Sequence, residues 1–146
     1  MRTIIKNKKA FYDYEIIERY LAGIQLQGSE VKSIKNSKTS ISEAYCFINN
    51  DEIFIKNMHV SEFKEGGKYN NHLPLRDKKL LLTKKEIYKI EDVISKKGLT
   101  LIPLELLCSK TGFIKIEIAI ARGKNNFDKR ESIKVRDLDK EMKKNF

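Results

Sequence analysis

Lysine and arginine side chains recur beside aromatic rings along this chain. Lys8 and Lys9 stand next to Phe11 and Tyr12, Lys68 adjoins Tyr69, and Arg122, Lys124 and Lys129 surround Phe127. Cations of this kind neutralise phosphates, and aromatic faces stack on unstacked bases, which is how RNA loops are gripped. Some of these rings must serve the core instead, especially along Tyr12, Tyr14 and Ile16. The residues for other chemistries are present without the spacing those chemistries need. His59 and His72 have no H-x-x-x-H or cysteine neighbours that would make a metal site. Gly66-Gly67-Lys68 and Gly123-Lys124 lack the glycine spacing and the following Ser or Thr of a phosphate-binding loop, and no G-x-S-x-G elbow occurs. Asp13, Glu15 and Glu18 could pair as acid and base only through folded geometry. The expectation is a protein that binds RNA, is not an enzyme and needs no cofactor or metal.

Charge agrees with that expectation. The 146 residues hold 30 Lys and Arg against 20 Asp and Glu, a formal net charge of +10, which favours polyanionic partners. The basic residues are not gathered on one strongly amphipathic helix, so a membrane surface is the poorer match. No apolar run approaches the length of a membrane span, and the N-terminus lacks a signal-type apolar stretch. Cys46 and Cys108 stand alone in apolar segments and read as small core residues of a reduced, cytoplasmic protein.

The elements that would position these residues can be read from pattern. The stretch Leu26 to Asn36 is an extended run that turns at Gly28 into a short helix, with Ser29 as its cap. Val31 and Ile34 then face inward, while Lys32 and Lys35 face outward and present a basic surface. Residues 1–10 hold four basic and no acidic side chains and read as a flexible arm against phosphate. Phe11 to Gln27 reads as a long strand bent near Gly23. Two apolar runs around Asn49-Asn50-Asp51-Glu52 form a hairpin, Met58 to Phe63 another strand, and Glu65 to His72 an exposed loop. A helix starts at Thr83, where Thr83 and Glu86 have capping-box spacing; Ile87, Ile90 and Ile94 share a face, and Lys96-Lys97-Gly98 stops it.

Leu99 to Cys108 is extended with an edge or bulge at Pro103, Ser109 to Gly112 is a turn, and Ile114 to Ala121 alternates as a strand with one buried face. Five to seven antiparallel strands with two or three short helices make a mainly β fold, a small antiparallel OB-like barrel, over residues 1–122. Residues 123–146 hold eight basic and five acidic side chains and few apolar ones. Val135, Leu138, Met142 and Phe146 keep a thin helical stripe. This predicts a basic C-terminal tail, disordered when free and helical when docked.

The literal string Leu26-Gln27-Gly28-Ser29-Glu30-Val31-Lys32-Ser33 is more specific than its pattern. With Asn7-Lys8-Lys9-Ala10-Phe11 and Asp13-Tyr14 before it, and Ala121-Arg122-Gly123-Lys124 and Asp128-Lys129-Arg130 after it, the chain resembles the SsrA-binding protein (small protein B) family over nearly its whole length. The resemblance implies a partner of transfer-messenger RNA in the rescue of stalled ribosomes, with an OB-like barrel on the tRNA-like domain. It places Asn7, Lys8 and Lys9 in a basic RNA-contacting motif, with Tyr12 beside them. It also places Leu81 and Thr83 in an RNA-binding K-L-L-L-x segment; Lys78, just before that segment, is a further candidate RNA-binding residue. Thr83 stands where Asn or His is common, and capping is its simpler role; Leu21 stands where many members carry Glu.

For the tail, the resemblance implies entry into the empty messenger channel and the small-subunit decoding centre. Gly123, Lys124, Asp128, Lys129 and Arg130 match its start. Phe127 keeps a stacking face without the polar edge of the usual His or Tyr, Lys134 and Arg136 would hold phosphates, and Leu138 and Met142 would supply the docked face. Elongation factor Tu would be met indirectly, through the aminoacylated RNA. The rival reading is a general single-stranded nucleic-acid-binding OB protein.

Overall fold

The computed structural model describes residues 1–63 and 71–124. Its elements are β1 (Arg2–Lys6), α1 (Lys8–Asp13), β2 (Tyr14–Ile24), α2 (Gly28–Lys35), β3 (Thr39–Ser40), β4 (Tyr45–Asn49), β5 (Glu52–Lys56), β6 (His59–Val60), β7 (Lys78–Leu81), α3 (Lys84–Lys97), β8 (Thr100–Cys108) and β9 (Ile114–Gly123). Seven strands form one antiparallel sheet in the order β1-β8-β9-β2-β7-β5-β4, and β3 pairs with β6 separately. β8 also packs against β4, so the sheet curls toward closure as a small barrel.

Alternation along the strands creates two faces. Ala22 and Ile24 of β2, Ile114, Ile116, Ile118 and Ile120 of β9, and Leu80 of β7 turn into one apolar core. Ile34 of α2 and Ile87 and Ile90 of α3 complete it. The capping of α3 follows the pattern of its sequence: Thr83 Oγ1 accepts from Glu86 N at 3.2 Å, and Gly98 closes the helix in the left-handed region at φ 61°. A second, smaller core forms on the opposite face, where Ala10 of α1 packs on Ile102, Leu104, Ala119 and Ala121. Small side chains at 119 and 121 let the helix lie close to the sheet.

Several expectations change. Residues 1–10 are not an arm: β1 pairs with β8 from Arg2↔Cys108 to Lys6↔Glu105, and Thr3 Oγ1 bonds Glu105. Phe11 to Asp13 belong to α1 rather than to a strand, and the irregularity of β2 lies between Ile16 and Glu18, not at Gly23. Gly23 has a different task, because an added Cβ would lie 3.2 Å from Leu81 Cβ. Gly28 is an ordinary first helical residue whose added Cβ would meet nothing within 4 Å. The cap of α2 is Gln27, whose N–H donates to Glu30 Oε1 at 2.7 Å, while Ser29 bonds His72. The strand near Met58 is short, His59–Val60. Pro103 marks a bulge, as one of its two readings required, beyond the end of the β1 pairing, where its missing N–H costs no ladder bond to β1.

His72, expected in an exposed loop, is buried: its Nε2 donates to Val60 O at 2.8 Å, and Ser29 Oγ lies 2.8 Å from Nδ1. The carbonyl can only accept, so a neutral His72 carries its proton on Nε2 and takes a hydrogen bond from Ser29. Cys46 is buried, and burial pushes its thiol pKa up; Cys108 is half-buried and both are free. Residues 65–70 of the expected loop, with Lys68 and Tyr69, lie outside the described residues.

Candidate nucleic-acid interface

The outer face of the sheet is covered at one end and open at the other. Packing of Ala10, Phe11, Tyr14 and Ile16 around Ala119 and Ala121 puts α1 over the covered end. Beyond it, Leu107, Lys115, Gly23 and Leu81 lie side by side across β8, β9, β2 and β7. Leu21, opposite Glu117, lies two residues along β2 from Gly23. Leu21 and Leu81 are 44% and 51% exposed, and Leu81 leans over the notch left by Gly23. Exposed leucines flanked by cations provide apolar contact beside phosphate contact.

The residues expected at the RNA surface separate into three places. On α1, Lys8 is exposed, Lys9 is exposed and paired with Glu43 at 2.9 Å, and Tyr12 is half-buried. The hydrogen bond with Glu43, aided by its charge, raises the Lys9 pKa. On α2, Lys32 and Lys35 point outward as expected, with Lys32 Nζ 5.1 Å from the Phe63 ring centroid. Leu81 and Thr83 sit at the junction of β7 and α3, and there the hydroxyl of Thr83 also donates to Glu86 Oε1 at 2.9 Å. Lys8, Lys32, Lys35, Lys84, Lys110 and Lys115 form no ion pair with any described carboxylate. Gly123 ends β9, and Lys124 N donates to Asp13 O at 2.9 Å. Phe127, Asp128, Lys129, Arg130, Lys134, Arg136, Leu138 and Met142 lie outside the described residues.

Two of the residues expected at the RNA surface are buried. Asn7 is 4% exposed: its Nδ2 donates to Pro103 O at 2.9 Å and Ile41 O at 3.2 Å, and its Oδ1 caps α1 through Ala10 N. Its amide joins α1, β8 and the loop before β4, so both its nitrogen and its oxygen are engaged within the fold. Replacing Asn7 with Ala removes the cap and strands two carbonyls, so a loss of about 1–3 kcal/mol in denaturant unfolding is expected. Unchanged stability with weakened RNA binding would return Asn7 to the interface.

Lys78 is the second buried residue. Its side chain is fully buried, and its Nζ donates to Arg76 O at 2.7 Å and stands 3.7 Å from Glu30 Oε2. Glu30 is equally buried and receives Arg76 through both oxygens, at 2.6 Å and 3.2 Å. Burial alone would raise the Glu30 pKa, but hydrogen bonds from Arg76 and Gln27 N, and the charges of Arg76 and Lys78, hold it below the usual carboxylate range. For Lys78 burial dominates and lowers the pKa, against the pull of Glu30. This clasp ties α2 to the segment before β7, and so fixes where Lys32, Lys35 and Leu81 stand. In the sequence Glu30 stands next to Val31 and four residues before Ile34, on the inward side of α2, and this is the local signal of its burial.

A model of the SmpB protein family matches residues 4–146. The chain belongs to this family. An SsrA-binding protein of Cytophaga hutchinsonii is 52% identical over 140 residues, 96% of this chain and 91% of the relative. Another, from Fusobacterium nucleatum subsp. nucleatum, is 52% identical over 143 residues, covering 98% and 95%. The fold is similar to that of a solved chain described as "tmRNA-SmpB: a journey to the center of the bacterial ribosome", with a TM-score of 0.69, 35% identity, and coverage of 90% of this chain and 94% of that one. The family match thus runs from residue 4 through the residues beyond Lys124. Among the described residues no group of three or more His, Cys, Asp or Glu could hold a metal, and no helix is long and apolar enough to cross a membrane.

Proposed function

We propose that this family member is an RNA-binding adaptor that binds the tRNA-like domain of transfer-messenger RNA and delivers it to stalled ribosomes for trans-translation. The observation that carries this reading is the match to the tmRNA-SmpB chain at 35% identity across 90% of the sequence. Lys8, Lys9, Tyr12, Lys32, Lys35 and Leu81 supply the contacts of the folded body with RNA, while Asn7, Lys78 and Thr83 hold the elements that carry them. The body spans residues 1–122, and residues 123–146 form the ribosome-facing tail, with Phe127, Lys129, Arg130, Lys134 and Arg136 meeting ribosomal RNA and Leu138 and Met142 supplying the docked face. Delivery proceeds with elongation factor Tu on the aminoacylated RNA, in the cytoplasm, and no catalytic step falls to this chain.

A competition assay at near-physiological salt tests the reading. The tRNA-like domain of transfer-messenger RNA should outcompete both a size-matched unstructured RNA and an ordinary tRNA. Equal affinity for all three would mean that the +10 charge alone drives binding, and the general single-strand-binding reading would replace this one.

A further inference from the structure

The turn between β8 and β9 carries features that neither the core nor the described interface uses. Phe113 is 68% exposed, more than Leu21 or Leu81 on the same outer side of the sheet. Its backbone is fastened: Ser109 N donates to Phe113 O at 2.8 Å, Phe113 N donates to Ser109 Oγ at 3.0 Å, and Gly112 N donates to Ser109 O at 3.0 Å. Gly112 adopts φ 91°, a conformation that side-chain-bearing residues resist, so the turn is built around it. A ring held out on so well bonded a turn loses little conformational freedom when something stacks on it.

Cations gather at the same place. Lys35 reaches over from α2, its Nζ 3.2 Å from where a Cβ of Gly112 would stand. Lys110 lies within the turn and is exposed, and Arg2, exposed as well, pairs in register with Cys108 just before it. None of the three forms an ion pair with a described carboxylate, and the turn itself contains no acidic residue. Lys115, two residues beyond Phe113, leads across Gly23 to Leu81, so the open outer face runs without a break from the leucines to this turn.

We infer that the β8–β9 turn is a further RNA contact, in which Phe113 stacks on an unstacked base while Lys35, Lys110 and Arg2 hold the flanking phosphates. The inference rests on the adaptor reading above and extends it: the bound RNA follows the open face past Leu81 and ends against the turn. Stacking on a single exposed ring tolerates any base, so this contact adds affinity and register rather than sequence preference.

The test uses the full-length protein and the tRNA-like domain of transfer-messenger RNA. Phe113→Ala should weaken binding by about five- to a hundredfold, the range one stacked base supplies. Phe113→Trp should bind like the natural protein and Phe113→Leu like the alanine variant, since stacking needs a π face. The thermal midpoint of each should match the natural protein's, because the ring is not part of either core. Lys35→Gln with Lys110→Gln should reduce the slope of log affinity against log salt by about 1.4 to 1.8. If Phe113→Ala binds within twofold of the natural protein while Lys8→Ala weakens binding in the same assay, the inference is wrong and the adaptor reading stands. Leucine at 113 binding as tightly as phenylalanine would likewise overturn it. If the natural protein shows no preference for this RNA, both fall together.

Discussion

A chain ending at Lys124 should bind the tRNA-like RNA about as tightly as the full-length protein and yet fail to support tagging of stalled polypeptides. The physical grounds lie in where the apolar contacts and the charge reside. Both cores are built from residues between Ala10 and Ala121, so the truncated body keeps every buried residue described. Residues 125–146 carry seven basic and five acidic side chains, so removing them takes away only a small part of the net +10 charge. Affinity governed by phosphate neutralisation on the body should therefore change little, and its salt slope should hold. Tagging, measured by incorporation of the tag peptide on ribosomes stalled at the end of a message, should fall to background. Full tagging by the truncated chain would remove the ribosomal role proposed for Phe127, Lys129, Arg130, Lys134 and Arg136.

Replacing Glu30 with Ala should cost about 3–5 kcal/mol, because it leaves Lys78 buried with its charge uncompensated. Adding Lys78→Met to that variant should recover much of the loss, since no buried charge then remains to be matched. The pH dependence follows from the same groups. Glu30 is held below its ordinary pKa in the folded state, so its contribution is complete above the unfolded value, about 4.3, and disappears as pH falls through the folded value. Lys78 has a lowered pKa, so its term acts in the other range: stability rises with pH between the folded value and the unfolded one near 10.4. Urea midpoints at acid, neutral and alkaline pH would measure both. A Glu30→Ala protein as stable as the natural one at neutral pH would show that the clasp contributes nothing.

The contrast between Glu30 and α3 explains what could be read from sequence. Every signal of α3 is local: the Thr83–Glu86 cap, the Ile87–Ile90–Ile94 stripe and the Gly98 stop act within one helix, and the folded helix runs Lys84–Lys97 between them. The β4–β5 hairpin and the alternation of β9 were legible for the same reason. Glu30 and Lys78 are 48 residues apart, and their burial depends on Arg76 arriving between them, which no periodicity encodes. Residues 1–10 misled similarly. Four basic side chains suggested a solvated arm, but Ile4 and Ile5 pack on the core once β8 is present to receive β1.

Of the interface, the outward lysines of α2 follow from local pattern, whereas Leu81 is indicated only by the resemblance. The roles of Asn7 and Lys78 do not follow from local pattern either, because burial depends on what the rest of the chain places against a side chain. Leu21 illustrates a middle case: strand alternation sets its face, but only the pairing of Gly23 with Leu81 shows that a second leucine stands nearby.

The pairing of Arg2 with Cys108 also bears on how the protein is made. The strand synthesised first must wait for one synthesised roughly a hundred residues later, an interval of about 5–20 s at ordinary elongation rates. During that interval the first strand has no edge to join, and the outer face of β8 and β9 does not yet exist for α1 to cover. Pairings this distant in sequence raise the contact order and slow the final closure of a sheet. Completion of this fold is therefore a late event, reached only after the chain has been translated past Cys108 and its opening residues can return to the far edge of the sheet.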